Sequence, residues 1–403
     1  MLSQKIEKIL IEYQMKYRKA GVDVSLDNLT QTAEASIKEA EKNYTRLESP
    51  KTSYKETYIT YWVRENLEKD LARKTIIKID RRKFPSEPYF QAISEYFSLL
   101  PIPLLYRINQ EINNTPPAKR EKLWKDLNFP IEEAKSKFIR LISTRIEYFL
   151  KKEKMSPLEF SLKQFKIPKK DFQRFKSEKD KTIKKYNELF PDTGKLPFWF
   201  YSEYNLPCFV CRLAKFPFEK QKEALEFVFQ KHPSFSAFKS KVKIKTGEST
   251  SIKYDKTKDN FLITIDNYAN FRHQIMGLIH EMSHVISFLK NFQNGLDPLE
   301  KGRYFQEKDA INIEFSLLKD LSEDLFRASL AKALIAFWTT IFETELYKNP
   351  NQNDIEKLYA KTFNLCFIKA NQKRNPFYLL NDKILTAPFS SLPHVVAYTN
   401  IPL

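Results

Sequence analysis

Glycine is scarce in this chain. Six occur in 403 residues: Gly21, Gly194, Gly247, Gly277, Gly295 and Gly302. That is about 1.5%, against roughly 7% in ordinary proteins. None lies between Gly21 and Gly194, which excludes a Gly-rich phosphate cradle there. No Walker or dinucleotide fingerprint exists anywhere in the sequence. A large β architecture is disfavoured too, because its tight turns want glycine. Three cysteines make no disulfide framework and point to a reducing compartment. Long apolar runs are missing as well. The most apolar later stretch, 333–342, falls short of the ~18 residues that a membrane span needs. Residues 1–12 mix charges with apolar residues and read as an amphipathic helix rather than a signal peptide. These absences predict a soluble cytoplasmic protein with no membrane attachment.

What is present is ordinary globular composition, with 42% hydrophobic and 29% charged residues. At roughly 150 residues per domain, the length predicts two to three domains or one large enzyme body. The first half reads as helices punctuated by prolines. Helices are expected over 2–19, 29–47, 54–74, 90–99, 117–127, 131–152, 157–165 and 170–190. In 131–152 the apolar residues Phe138, Leu141, Ile142, Ile146, Phe149 and Leu150 recur at three and four, one face of a helix. Composition shifts near residue 191, so a helical region (1–195) and a second region (196–403) are expected. The second contains the one convincing β pattern, at 242–245, 251–254 and 261–266. Beyond Asn270 the pattern is helical to about Asn349.

The chemistry is concentrated in His280-Glu281-Met282-Ser283-His284, a His-Glu-x-x-His sequence in a chain with five histidines. Ile275, Leu278, Ile279, Met282, Val285, Ile286 and Leu289 form the apolar stripe of a helix around it. His280 and His284 then lie one turn apart on one face. Their imidazoles can reach one Zn²⁺ at about 2.0–2.1 Å, with Glu281 beside them to take a proton from water. Gly277, one turn earlier, keeps bulk off that face. The bland alternative, a buried helix with two incidental histidines, leaves costly polar groups unpaired.

A catalytic zinc needs a third protein ligand and an open position. Residue 290 is Lys, which excludes the pattern with a third His six residues on. The residues 291–304 hold Gly295, Pro298 and Gly302, a loop that turns the chain back into a helix from about Phe305. There Ile311, Leu318, Leu321 and Leu325 mark the inward stripe, and Glu307 and Glu314 share it. Asp309, Asp320 and Glu323 fall outside it. Glu307, 23 residues beyond His284, is the expected third ligand. Glu314 is the expected acceptor orienting a ligand imidazole. Helical phase also allows the two roles exchanged.

The run His280 to His284, then Glu307-x-x-Ala310-x-x-x-Glu314, resembles the thimet oligopeptidase and oligoendopeptidase F family of gluzincins. Ser283 stands where that family usually has Gly, and Ala310 where it usually has Ser. Thr340–Tyr347 resembles the family's helix after the site. The segment Leu392-Pro393-His394 to Tyr398 resembles the one carrying its transition-state-stabilising His and Tyr. The resemblance covers about 260–400 and is only architectural before it. It implies a mainly α, zincin-like fold: a large helical body, a small antiparallel sheet beside the metal-binding helices, and a channel between two halves. Residues 1–195 would wall the channel and 196–403 would be catalytic. It implies one Zn²⁺ per chain, a peptide substrate, and His394 and Tyr398 as oxyanion donors. It also implies a peptide lying along an edge strand at Phe261, Ile263 and Ile265. The activity implied is that of a zinc metalloendopeptidase acting on short peptides.

Other features weigh less. Cys208 and Cys211 form one pair without a second in register. His273, seven before His280, is a candidate substrate contact. Residues 151–245 hold 23 basic and 11 acidic residues among several aromatics. No recognition motif accompanies that charge, so nucleic acid is not the expected partner. The alternative reading is a basic regulatory or nucleic-acid-binding protein, its metalloprotease-like site acting on one protein target or inactive.

Overall fold

Apolar residues spaced at three and four become helix wherever the chain is described. The computed structural model describes residues 4–19, 24–44, 88–100, 130–189, 218–247, 250–255, 260–266, 271–296, 302–350, 354–367 and 372–401, with single positions between 59 and 70 and at 119 and 122. The first half supplies α1 (Gln4–Lys19), α2 (Leu26–Tyr44), α3 (Pro88–Leu99), α4 (Ile131–Tyr148), α5 (Pro157–Gln164) and α6 (Lys169–Leu189). Ser156 and Glu159 close a reciprocal capping box at the start of α5, with Pro157 at its first position. The helices expected over 54–74 and 117–127 fall mostly outside the described residues.

In α4, Phe138, Leu141 and Ile142 are buried as the periodicity predicts, but Leu150 is 52% exposed. Beyond Tyr148 the helix widens into a π turn, Phe149–Glu153. The wider turn breaks the 3.6-residue phase and carries Leu150 outward.

After α7 (Gln221–Lys231) come β1 (Val242–Gly247), β2 (Ser251–Asp255) and β3 (Asn260–Asp266). Their order is β1-β3-β2: β3 is central, parallel to β1 and antiparallel to β2. The sheet is therefore mixed, not purely antiparallel, and β3 is not an edge strand. Phe261, Ile263 and Ile265, expected along a substrate-binding edge, are buried in the core, on the central strand. β3 has the most continuous apolar face and gains most from pairing on both sides. β2, with Ser251 and Lys253 exposed, suits an edge.

The remaining helices are α8 (Phe271–Gln293), α9 (Gly302–Leu321), α10 (Glu323–Lys348), α11 (Ile355–Cys366), α12 (Asp382–Thr386) and α13 (Leu392–Thr399). α8 packs on β3 and α9, and α9 packs on α10 and α13. By length and composition, Leu325–Lys348 of α10 is apolar enough to cross a membrane. It is mostly buried inside the protein, with Leu334, Phe337 and Trp338 fully enclosed. α10 therefore reads as the central core helix. One apolar cluster runs from Tyr89 to Tyr398, and α1 and α2 carry a separate one around Tyr17 and Leu29. The boundary expected near residue 195 lies outside the described residues.

A fully buried Arg145 ties α4 to the segment leading into α13. It donates to Tyr89 Oη (3.2 Å), Tyr347 Oη (3.0 Å) and the carbonyls of Ile384 and Leu385 (both 2.6 Å). Arg145→Met would leave those carbonyls unpaired in the core, at a cost of about 3–5 kcal/mol. The denaturant midpoint should fall accordingly. An unchanged midpoint would refute this structural role.

Candidate metal centre

α8 is buried nearly all round. His280, His284 and Phe288, at i, i+4 and i+8, form its half-exposed stripe. The two imidazoles stand edge to face with ring centroids 4.9 Å apart. The apolar stripe expected from sequence, Ile275 to Leu289, is buried throughout. The room left by Gly277 serves the sheet rather than the imidazole face: a methyl there would lie 3.1 Å from Thr250 Cγ2. Ser283 is buried, and its hydroxyl bonds back to the Ile279 carbonyl (2.8 Å).

α9 turns back across α8 as the loop glycines predict. Gly295 and Gly302 both have positive φ, 69° and 75°. Glu307 and Glu314 are buried on the α8-facing side. Asp320 and Glu323 are exposed, and Asp309 is half-buried. Ligand atoms of His280, His284 and Glu307 all lie within 4.8 Å of one another. Glu307 Oε2 is 3.7 Å from His280 Nε2 and 3.4 Å from His284 Nε2. Donors about 2.0–2.1 Å from one tetrahedral ion stand roughly 3.3–3.4 Å apart, so these separations suit a shared cation. Glu307 Oε2 is buried with no aligned hydrogen-bond donor, an atom with a lone pair to give. This donor set fits a divalent ion such as zinc.

Glu314 takes a different place. Its Oε2 lies 2.8 Å from His280 Nδ1, so the imidazole presents Nε2 towards Glu307. On the far side, Lys332 Nζ of α10 stands 3.6 Å from Glu314 Oε1. Burial alone would raise the Glu314 carboxyl, but Lys332 and His280 outweigh it and hold the pKa at about 2. His280 is pulled down by burial and pushed up more strongly by Glu314, then by Glu281 and Glu307, to about 9. A ligating imidazole is neutral, so cation and proton compete for that ring. Burial would also raise Glu307, yet His394 and His284 hold it well below the usual carboxylate range. Glu314→Ala should weaken metal binding about 10- to 100-fold, measured by competition with a chromophoric chelator. Unaltered affinity would remove Glu314 from the orienting role.

Glu281 is buried beside the pair and makes no hydrogen bond or ion pair to another described residue. His394, on α13, reaches the same centre, with Nε2 3.2 Å from Glu307 Oε2. It stands outside the three-residue group. Tyr398, one turn further, has its ring enclosed by Phe315 and Tyr186, with centroids at 5.7 and 6.4 Å. Burial, with Glu314 and Tyr186 nearby, keeps its phenol protonated far above the usual range. Two residues were not foreseen. Arg303 Nε lies 3.6 Å from Glu307 Oε1, an i,i+4 pair visible in the sequence. Lys332 comes from another helix and left no sequence signal. Cys208, Cys211 and the His273 side chain lie outside the described residues.

No family model matches the chain, and no curated protein matches it. A solved structure, PZ peptidase A with inhibitor 2, aligns with a TM-score of 0.53 at 12% identity. The alignment covers 98% of this chain and 75% of that one. At that identity the likeness is one of fold: the helical body and small sheet share the architecture of that structure.

Proposed function

We propose that the protein is a zinc-dependent metallopeptidase that hydrolyses peptide bonds of short peptides. The observation that carries this reading is Glu307 Oε2, buried and unsatisfied at 3.4–3.7 Å from two imidazole nitrogens of one helix. His280, His284 and Glu307 would hold the ion. When bound, zinc lowers the pKa of a coordinated water towards ~7 and polarises a carbonyl. Glu281 accepts the proton of the attacking water and delivers it to the leaving amine. It makes no hydrogen bond or ion pair to another described residue that would compete for that proton. His394 is placed to donate to the developing oxyanion, with Tyr398 behind it on the same helix face. With β3 central, β2 is the strand packed on α8 that offers an unpaired edge among the described residues. An extended peptide would add there through backbone hydrogen bonds. The helices ahead of residue 195 would wall the approach and admit peptides rather than folded proteins.

The test joins metal analysis to a peptide-library digest. One zinc per chain is expected, with cleavage stopped by a chelator and restored by zinc. A zinc-replete protein that leaves the whole library intact would end this reading. A salt-sensitive shift with DNA or RNA in that same preparation would favour the basic-binding alternative.

A further inference from the structure

Away from the metal centre, α6, α10 and α11 diverge around a cleft of about 620 Å³. That is the size of a small-molecule site. Phe172, Ile341, Leu358 and Leu365 give it an apolar wall, and Leu365 is 53% exposed there. Lys176, Lys179, Lys348 and Lys361 ring it, with Glu345 as its one acid. Two of the lysines are neutralised: Lys348 by Glu345 (2.6 Å) and Lys179 by Asp180 (2.6 Å). Lys176 and Lys361 meet no carboxylate among the described residues, and Lys176 Nζ lies 4.8 Å from the Phe172 ring centroid.

An apolar slot and two ammonium groups that meet no carboxylate among the described residues together describe a ligand with a tail and a negative head. We propose that this cleft binds an amphipathic carboxylate, its acyl chain against Phe172, Ile341 and Leu358 and its head between Lys176 and Lys361. A helical peptide is too large, since two turns occupy roughly 850 Å³ or more. A cationic amphiphile would meet the lysines unfavourably. None of these residues belongs to the metal centre, so the site stands whether or not the protein cleaves peptides.

Calorimetric titration of the full chain with octanoate, decanoate and dodecanoate, each below its micellar concentration, tests this. Binding of one molecule per chain is expected, tightening about fourfold per added methylene. The double variant Lys176→Glu/Lys361→Glu should weaken dodecanoate at least tenfold. Ile341→Trp should block the slot. Should that variant fail to fold, Leu365→Asp at the exposed rim should still weaken binding severalfold. Dodecyltrimethylammonium should not compete. Absence of saturable binding, an unaffected lysine double variant, or equal binding of the cationic amphiphile would overturn the proposal.

Discussion

Replacing Glu281 with Gln is expected to leave zinc content unchanged and to lower kcat on a quenched peptide by about 10²–10⁴-fold, the range for loss of a general base. The argument is one of shape and charge. Gln matches Glu in volume, so the buried position beside His280 keeps its packing. What it loses is the ability to take a proton from water. Glu281 makes no hydrogen bond or ion pair to another described residue, so none of those is broken. KM should therefore move little while kcat collapses, the signature of an interaction made in the transition state. Turnover within threefold of the parent protein, at equal metal content, would dismiss Glu281 as the base.

Glu307→Ala should cost more than about a hundredfold in zinc affinity, beyond the effect of losing an imidazole-orienting partner such as Glu314. Removing it leaves two protein donors, His280 and His284, where a catalytic zinc keeps three. It also removes the buried carboxylate on which His280, His284 and His394 converge at 3.7, 3.4 and 3.2 Å. A ligand that binds only the folded state raises its stability. The melting temperature should consequently rise with added zinc in the parent protein and not in the variant. If Glu307→Ala retains zinc and Glu314→Ala loses it, the two carboxylates exchange roles. The 2.8 Å contact of Glu314 with His280 Nδ1 argues for Glu314 as the orienting group and Glu307 as the ligand.

Much of the metal centre could be read before any fold was known, because it is local. His280, Glu281 and His284 lie within one turn of one helix, and their spacing alone puts the two imidazoles together. Glu307 and Glu314 followed from phase, since a carboxylate on an apolar stripe demands a partner. Position in the sheet was not legible. Alternation shows that Phe261, Ile263 and Ile265 share a face, but not which strands flank them. The edge strand implied by resemblance proved to be the central one. Leu150 was misplaced for a similar reason, since one π turn shifts phase without a mark in composition.

Helical content, the His-Glu-x-x-His pair and the acids that accompany it come from short-range periodicity, which each segment carries in its own residues. Tertiary packing alone brought Lys332 against Glu314, set His394 beside Glu307 and gathered lysines from α6, α10 and α11 around one apolar cleft. Such contacts join residues far apart in the chain, and their distances depend on how whole helices cross. No local pattern encodes a crossing, because it is settled by the sum of many burials across the core.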